Sequence, residues 1–234
     1  MNPSPQLPLA LQPAAESRFD TFVGAPFAVQ TLAEMARQGT GFAFLAGPVG
    51  SGKTHLALAT VLAATTAGHA ARYLALEQLS GQARAALAGL DVQRVIVLDD
   101  LEALLGNAED ELALFDFHNR ARAAGCAVLY TASGPPVSLP PGLPDLRSRL
   151  AQCTQLLLPR LDDPLREAIL KRKAHERGLV LDDAVAGFLL RRVGREMTSL
   201  VALLDRLDHA SLTEQRRLTV PFVRAVLGLD DADR

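Results

Sequence analysis

The chain has 234 residues and a formal net charge of −2; 49% of it is apolar and only 5% aromatic. That length suits one α/β domain with a small appendage, the Ala- and Leu-rich composition favours helix over β-sandwich, and the near-neutral charge excludes a global field for nucleic acid or an anionic membrane. Two cysteines, Cys126 and Cys153, each in an apolar run, exclude a disulfide framework and read as buried thiols.

Residues 1–17 carry four prolines and no periodicity, which predicts an extended, mobile tail. Within it Gln6-Leu7-Pro8-Leu9-Ala10-Leu11 sets leucines at alternating positions. Such side chains either anchor in a groove on another protein or fold back onto the domain. No basic region followed by an apolar core marks a leader here, and no apolar run reaches the roughly 18 residues of a spanning helix, so the expected location is cytoplasmic.

Arg18-Phe19-Asp20-Thr21-Phe22 begins the folded part, and Phe27 to Gln38 reads as a helix with Pro26 at its start. The apolar run Gly41 to Ala46 suits a buried strand. It feeds Gly47-Pro48-Val49-Gly50-Ser51-Gly52-Lys53-Thr54, which fits G-x-x-x-x-G-K-[ST] without a mismatch, and the Ala- and Leu-rich stretch from His55 to Ala64 reads as helix. Strand, glycine loop and helix are the setting in which backbone N–H groups and a helix N-terminus cradle phosphate. Lys53 would reach the β- and γ-phosphates, and Thr54 would offer its hydroxyl to Mg²⁺.

A second strand is expected at Ala71–Leu76 and a helix from Glu77 to about Ala88. Arg94-Val95-Ile96-Val97-Leu98-Asp99-Asp100 reads as a central parallel strand buried on both faces, its aspartates at the carboxyl end where α/β sheets place ligands. Asp99 is assigned to the metal shell and Asp100 to polarising an attacking water. Asp110 to Ala124 is a helix, Gly125 its stop, and Cys126 to Ser133 a strand expected beside Asp99, so that Thr131 or Ser133 would meet the γ-phosphate or the water. A proline-rich loop leads to a short helix, Leu143 to Leu150, and Cys153 to Leu158 supplies a fifth strand.

After Leu161 only helices are expected: Asp162-Asp163-Pro164 opens one to about Arg177, and others span Asp182 to Val193, Glu196 to Leu212, and Val220 to Gly228. The basic clusters Lys171-Arg172-Lys173 and Arg191-Arg192 read as solvated faces rather than a nucleic-acid patch.

Together these pieces resemble AAA+ P-loop NTPases: an α/β domain with a five-stranded parallel sheet, followed by a small all-helical lid domain. Residues 1–17 would be the tail, 18–160 the nucleotide-binding domain, 161–228 the lid and 229–234 a C-terminal tail. Arg18 to Phe22, Val95 to Asp100, Gly142 to Leu150 and Leu218 to Val223 are similar to the DnaA branch, and most to its Hda family. With no helix-turn-helix domain between the bundle and Arg234, a relative of the initiator is expected, not the initiator itself.

The resemblance implies a regulator of replication initiation that binds ADP or ATP with Mg²⁺ through Gly47 to His55, Thr54 and Asp99. Gln6, Leu7, Leu9 and Leu11 would dock on the DNA polymerase sliding clamp, with Pro8 replacing the usual small polar residue. Arg149 matches the family's arginine finger, which would enter ATP-bound DnaA and, with that partner's own groups, speed hydrolysis. Ser133 stands where an acidic sensor is usual, and Thr198 where a sensor arginine is usual, with Arg195 one turn earlier as its substitute. Slow intrinsic ATP hydrolysis, self-association, no sequence-specific DNA binding and no membrane contact are expected. The alternative is a helicase-loader-type AAA+ ATPase acting on DNA or a helicase.

Overall fold

The computed structural model describes residues 17–79, 82–90, 94–139, 142–192 and 197–229. The chain falls into two compact units, 1–160 and 161–234.

The first unit is a parallel sheet of β1 (Gly41–Ala46), β2 (Ala71–Ala75), β3 (Val95–Asp99), β4 (Ala127–Ala132) and β5 (Thr154–Leu157), in the order β2-β3-β4-β1-β5. Every residue of β3 and β4 is buried, as a central strand covered on both faces requires. Side chains alternate between two cores with the period of two that strands impose. Ala43, Leu45, Val95, Val97, Ala127 and Leu129 face α1 (Pro26–Gln38) and α2 (Lys53–Thr66). Phe44, Ile96, Leu98, Val128 and Tyr130 face the other helices of the unit: α3 (Ala83–Ala88), α4 (Ala108–Ala123) and α5 (Pro144–Ala151). The edge strand β5 pairs only with β1 and leaves Leu157 exposed.

Two elements depart from the expected bounds. The single helix from Glu77 to Ala88 is instead a 3₁₀ turn at Leu76–Leu79 followed by α3, and between them the sequence carries Gly81, the poorest helix former of the stretch. Helix α4 begins at Ala108, earlier than expected, because the Asn107 side chain caps it, accepting from Glu109 N–H at 2.9 Å and Asp110 N–H at 3.3 Å.

The second unit is α6 (Asp163–Glu176), α7 (Asp183–Arg192), α8 (Met197–Glu214) and α9 (Val220–Val226). Asp162 caps α6 by accepting from Leu165 N–H at 2.9 Å, and Thr219 caps α9. Leu170, Leu189, Leu200, Leu204 and Phe222 form its core. The basic cluster on α6 is neutralised locally: Lys171 pairs with Glu167 and Asp183, and Lys173 with Glu176. Among the described residues, no helix is long and apolar enough to cross a membrane.

Candidate functional site: a phosphate loop and its acidic neighbours

The loop leaves the end of β1 and enters α2. Its first residue is anchored to the sheet, Gly47 N–H donating to Ala132 O at 3.1 Å. A Cβ at Gly47 would sit 2.6 Å from Ser51 Oγ and 2.8 Å from Leu158 Cβ, so only glycine fits. Gly50 and Gly52 take φ of 77° and 97°, which turn the backbone into a concave shell. Pro48 is half-buried and Val49, at the tip, is 90% exposed.

Lys53 is buried, with Nζ donating to Gly47 O at 2.9 Å and Pro48 O at 3.4 Å. The ammonium is therefore held over the loop and not out in solvent. Thr54 is exposed at the first turn of α2. His55 turns away to the segment before α1: Nε2 lies 2.8 Å from Arg18 O, and its ring is 5.4 Å from Phe22. Phe22 also closes on Gly52, where a Cβ would be 2.6 Å from the ring. Arg18 to Phe22 is thus packed beside the loop.

The acidic pair divides. Asp99 is 2% exposed, and both of its oxygens accept: Oδ2 from the Tyr73 hydroxyl at 2.7 Å, and Oδ1 from the Thr131 hydroxyl. Asp100 is half-buried, with a left-handed backbone (φ 60°) fixed by its N–H donating to Thr131 Oγ1 at 2.9 Å. Burial, and then the Asp99 charge, raise its pKa above the usual carboxylate value. Burial and the same aspartate hold the Tyr73 phenol protonated far above its ordinary range.

Thr131 and Ser133 were the two hydroxyl candidates for the phosphate end. Thr131 is committed to the aspartates and Ser133 is exposed, its N–H donating to Glu102 Oε1. Arg195 and the leucine peptide (Gln6, Leu7, Leu9, Leu11) lie outside the described residues, as does the Thr198 side chain.

Arg149 stands in the last turn of α5. That helix leads into β5, whose first residue, Thr154, pairs with Ala43 of β1. A helix joining parallel strands runs back along the sheet, so its last turn lies toward the end where strands begin, away from the loop. Among the described residues the Arg149 guanidinium makes no hydrogen bond or ion pair.

The site fits a nucleotide phosphate chain. Ser51 Oγ is buried without a hydrogen-bond partner among the described residues, an orphan that a phosphate oxygen would satisfy. Thr54, Asp99 and Asp100 are the oxygen donors that suit Mg²⁺, a hard cation.

Tyr73 and Glu102 were missed by sequence reasoning, whereas Phe22 belongs to the Arg18 to Phe22 segment that it singled out. The one available signal for Tyr73 was a lone tyrosine in a strand, since a buried phenol demands a partner.

The family description "Hda, lid domain" fits residues 163–227. The chain is 36% identical over 230 residues to an uncharacterized protein of Haemophilus influenzae, covering 96% of this chain and 99% of that one. Its fold is similar to domain III of the Thermotoga maritima replication initiation protein DnaA, with TM-score 0.77, 20% identity, and 92% and 96% of the two chains covered. It is similar too to AMPPCP-bound DnaA from Aquifex aeolicus (TM-score 0.70, 21% identity, 86% and 67% covered). A third likeness is to the Thermotoga maritima RuvB Holliday junction branch migration motor (TM-score 0.66, 20% identity, 93% and 73% covered).

Proposed function

This chain belongs to an Hda-like, DnaA-related family with the AAA+ fold, and from that premise we propose that it is a nucleotide-bound regulator that supplies Arg149 to ATP-loaded DnaA. The observation that carries the reading is the position of Arg149. It lies toward the end of the sheet away from the chain's own phosphate loop, and its guanidinium has no acid partner among the described residues. An arginine so placed cannot serve the nucleotide of its own molecule. In another molecule's site its planar charge would stabilise the charge spread over the γ-phosphate oxygens.

The chain's own loop would hold ADP or ATP. Backbone N–H groups of Gly50, Gly52 and Lys53 and the positive end of α2 would face the phosphates. Lys53 supplies a buried ammonium and Ser51 an uncommitted hydroxyl. Mg²⁺, held by Thr54 and on the Asp99 side, would neutralise phosphate charge. Asp100 stands beside it with a raised pKa, as the group to orient water. Asp99 is tied by two hydroxyls and Ser133 replaces the usual sensor acid, which supports slow turnover in the isolated chain.

The leucine peptide at Gln6 to Leu11 would dock the protein on the DNA-loaded sliding clamp in the cytoplasm, bringing it to DnaA. Self-association through the same arginine face follows the same logic. The decisive experiment measures ATP hydrolysis by DnaA with clamp, DNA and this protein. Wild type accelerates it, Arg149→Ala does not, and deletion of residues 1–12 abolishes clamp binding. Full stimulation by Arg149→Ala would refute the reading.

A further inference from the structure

The seam between α4 and α5 carries a second arginine. Arg122, in the last turn of α4, donates from Nη1 to Gln152 Oε1 at 3.4 Å. Gln152 is the C-cap of α5, and its N–H donates to Arg149 O and Ser148 O, so it lies one turn beyond Arg149. On α4, His118 precedes Arg122 by one turn and therefore shares its face.

His118 is buried at the same seam. Its ring is 2% exposed, 4.7 Å from the Phe42 ring, with Nδ1 3.0 Å from the Tyr130 hydroxyl. After burial, the causes that hold its pKa down are the charges of Arg149 and Arg122. Both arginine charges thus bear on one buried imidazole at this seam. Cys153 reports the same place, its thiol donating to Arg149 O at 3.5 Å and feeling the charge of Arg122.

Among the described residues neither arginine is ion-paired, whereas Arg18, Arg37, Arg84, Arg166 and Arg177 each hold a carboxylate. Two like charges on one seam repel unless an anion arrives. Planar guanidinium groups match the oxygens of a phosphate chain, which can take bidentate bonds from each.

We propose that Arg122 and Arg149 form one anion site that takes the terminal phosphates of a nucleotide held by a neighbouring subunit, Arg122 being a second cation for the site that Arg149 enters. This inference rests on the reading of Arg149 as acting in another molecule. It adds a residue that confers preference for triphosphate over diphosphate, because an extra phosphate is what a second guanidinium would reach.

The test uses the full-length protein with DnaA loaded with a non-hydrolysable ATP analogue or with ADP. Two readouts are taken, affinity for each loaded form and acceleration of ATP hydrolysis at saturating protein. Arg122→Ala is expected to lower the acceleration about tenfold and to narrow the preference for the triphosphate form by a similar factor. Its melting temperature and its own nucleotide affinity stay at wild-type values, and Arg122→Lys recovers part of the loss. Inactive Arg149→Ala beside fully active Arg122→Ala would overturn the inference and leave the Proposed function standing. Full activity of Arg149→Ala would sink the reading beneath it. Equal weakening of both loaded forms by Arg122→Ala would assign Arg122 to the partner's protein surface and overturn the phosphate site. Loss of the triphosphate preference on adding millimolar inorganic phosphate would assign the pair to the free ion, with the same consequence.

Discussion

Tyr73 and Asp99, on adjacent strands, are joined by a 2.7 Å hydrogen bond inside the sheet unit, the phenol donating to a carboxylate that is only 2% exposed. A buried carboxylate is stable only while its lone pairs are met. Tyr73 and Thr131 meet them from either side of β3. Tyr73→Phe removes one donor without opening a large cavity, and is expected to cost about 1.5 to 3 kcal/mol in urea denaturation. It is also expected to change the Mg²⁺ concentration at which nucleotide affinity is half-maximal, measured by titration calorimetry.

Lys53→Ala removes the one buried ammonium of the loop. A charge-assisted contact with phosphate is worth about 1.5 to 3 kcal/mol, so affinity for ADP should fall about 10- to 100-fold in a fluorescent-nucleotide titration.

Gly52→Ala strikes two constraints together. The backbone there has φ of 97°, and the new methyl would meet the Phe22 ring at 2.6 Å. A loss of about 1 to 3 kcal/mol is expected. Phe22→Ala in the same chain should recover the steric part and leave the backbone part, a separation that paired thermal melts would reveal.

The motif glycines and Lys53 were legible in the sequence because the constraint is local: eight consecutive residues specify the loop, and an aliphatic run specifies the strand ahead of Asp99. Tyr73 was not, since its partner lies 26 residues along the chain. Nothing in the sequence marks which acceptor a phenol will find across a sheet. Glu111 is a similar case. In the sequence it is one acid beside Glu109 and Asp110, yet it is 3% exposed and accepts from Gly106 N–H at 2.8 Å and from Leu143 N–H at 2.5 Å, 32 residues away.

That carboxylate fixes the start of α5, and with it Arg149. Glu111→Ala would leave two backbone donors unmet, costing about 2 to 4 kcal/mol. Gly142→Ala would push a methyl to 2.5 Å from the same carboxylate and is expected to destabilise for the opposite reason, overcrowding. Hydrogen exchange at the first turn of α5 should rise in both variants.

His118 gives stability a pH dependence. Burial first, then Arg149 and Arg122, lower its pKa from 6.5 to about 4. The unfolded chain therefore takes up a proton near pH 6.5 while the folded chain refuses it until about pH 4. The contribution is complete above pH 6.5 and is lost progressively as pH falls toward 4, at most about 3 kcal/mol. The urea midpoint of the wild type should drop between pH 7 and pH 5, and that of His118→Asn should drop less.

Because the loop and Arg149 lie toward opposite ends of the sheet, each copy would carry, on the proposed reading, two unlike halves of a working centre. Such halves would mate head to tail, so that a pair of copies would complete one centre and leave a spare half at either extremity. A mixture in which one copy lacks a functional lysine and the other lacks the arginine should therefore regain a single intact junction, while neither damaged copy has one alone.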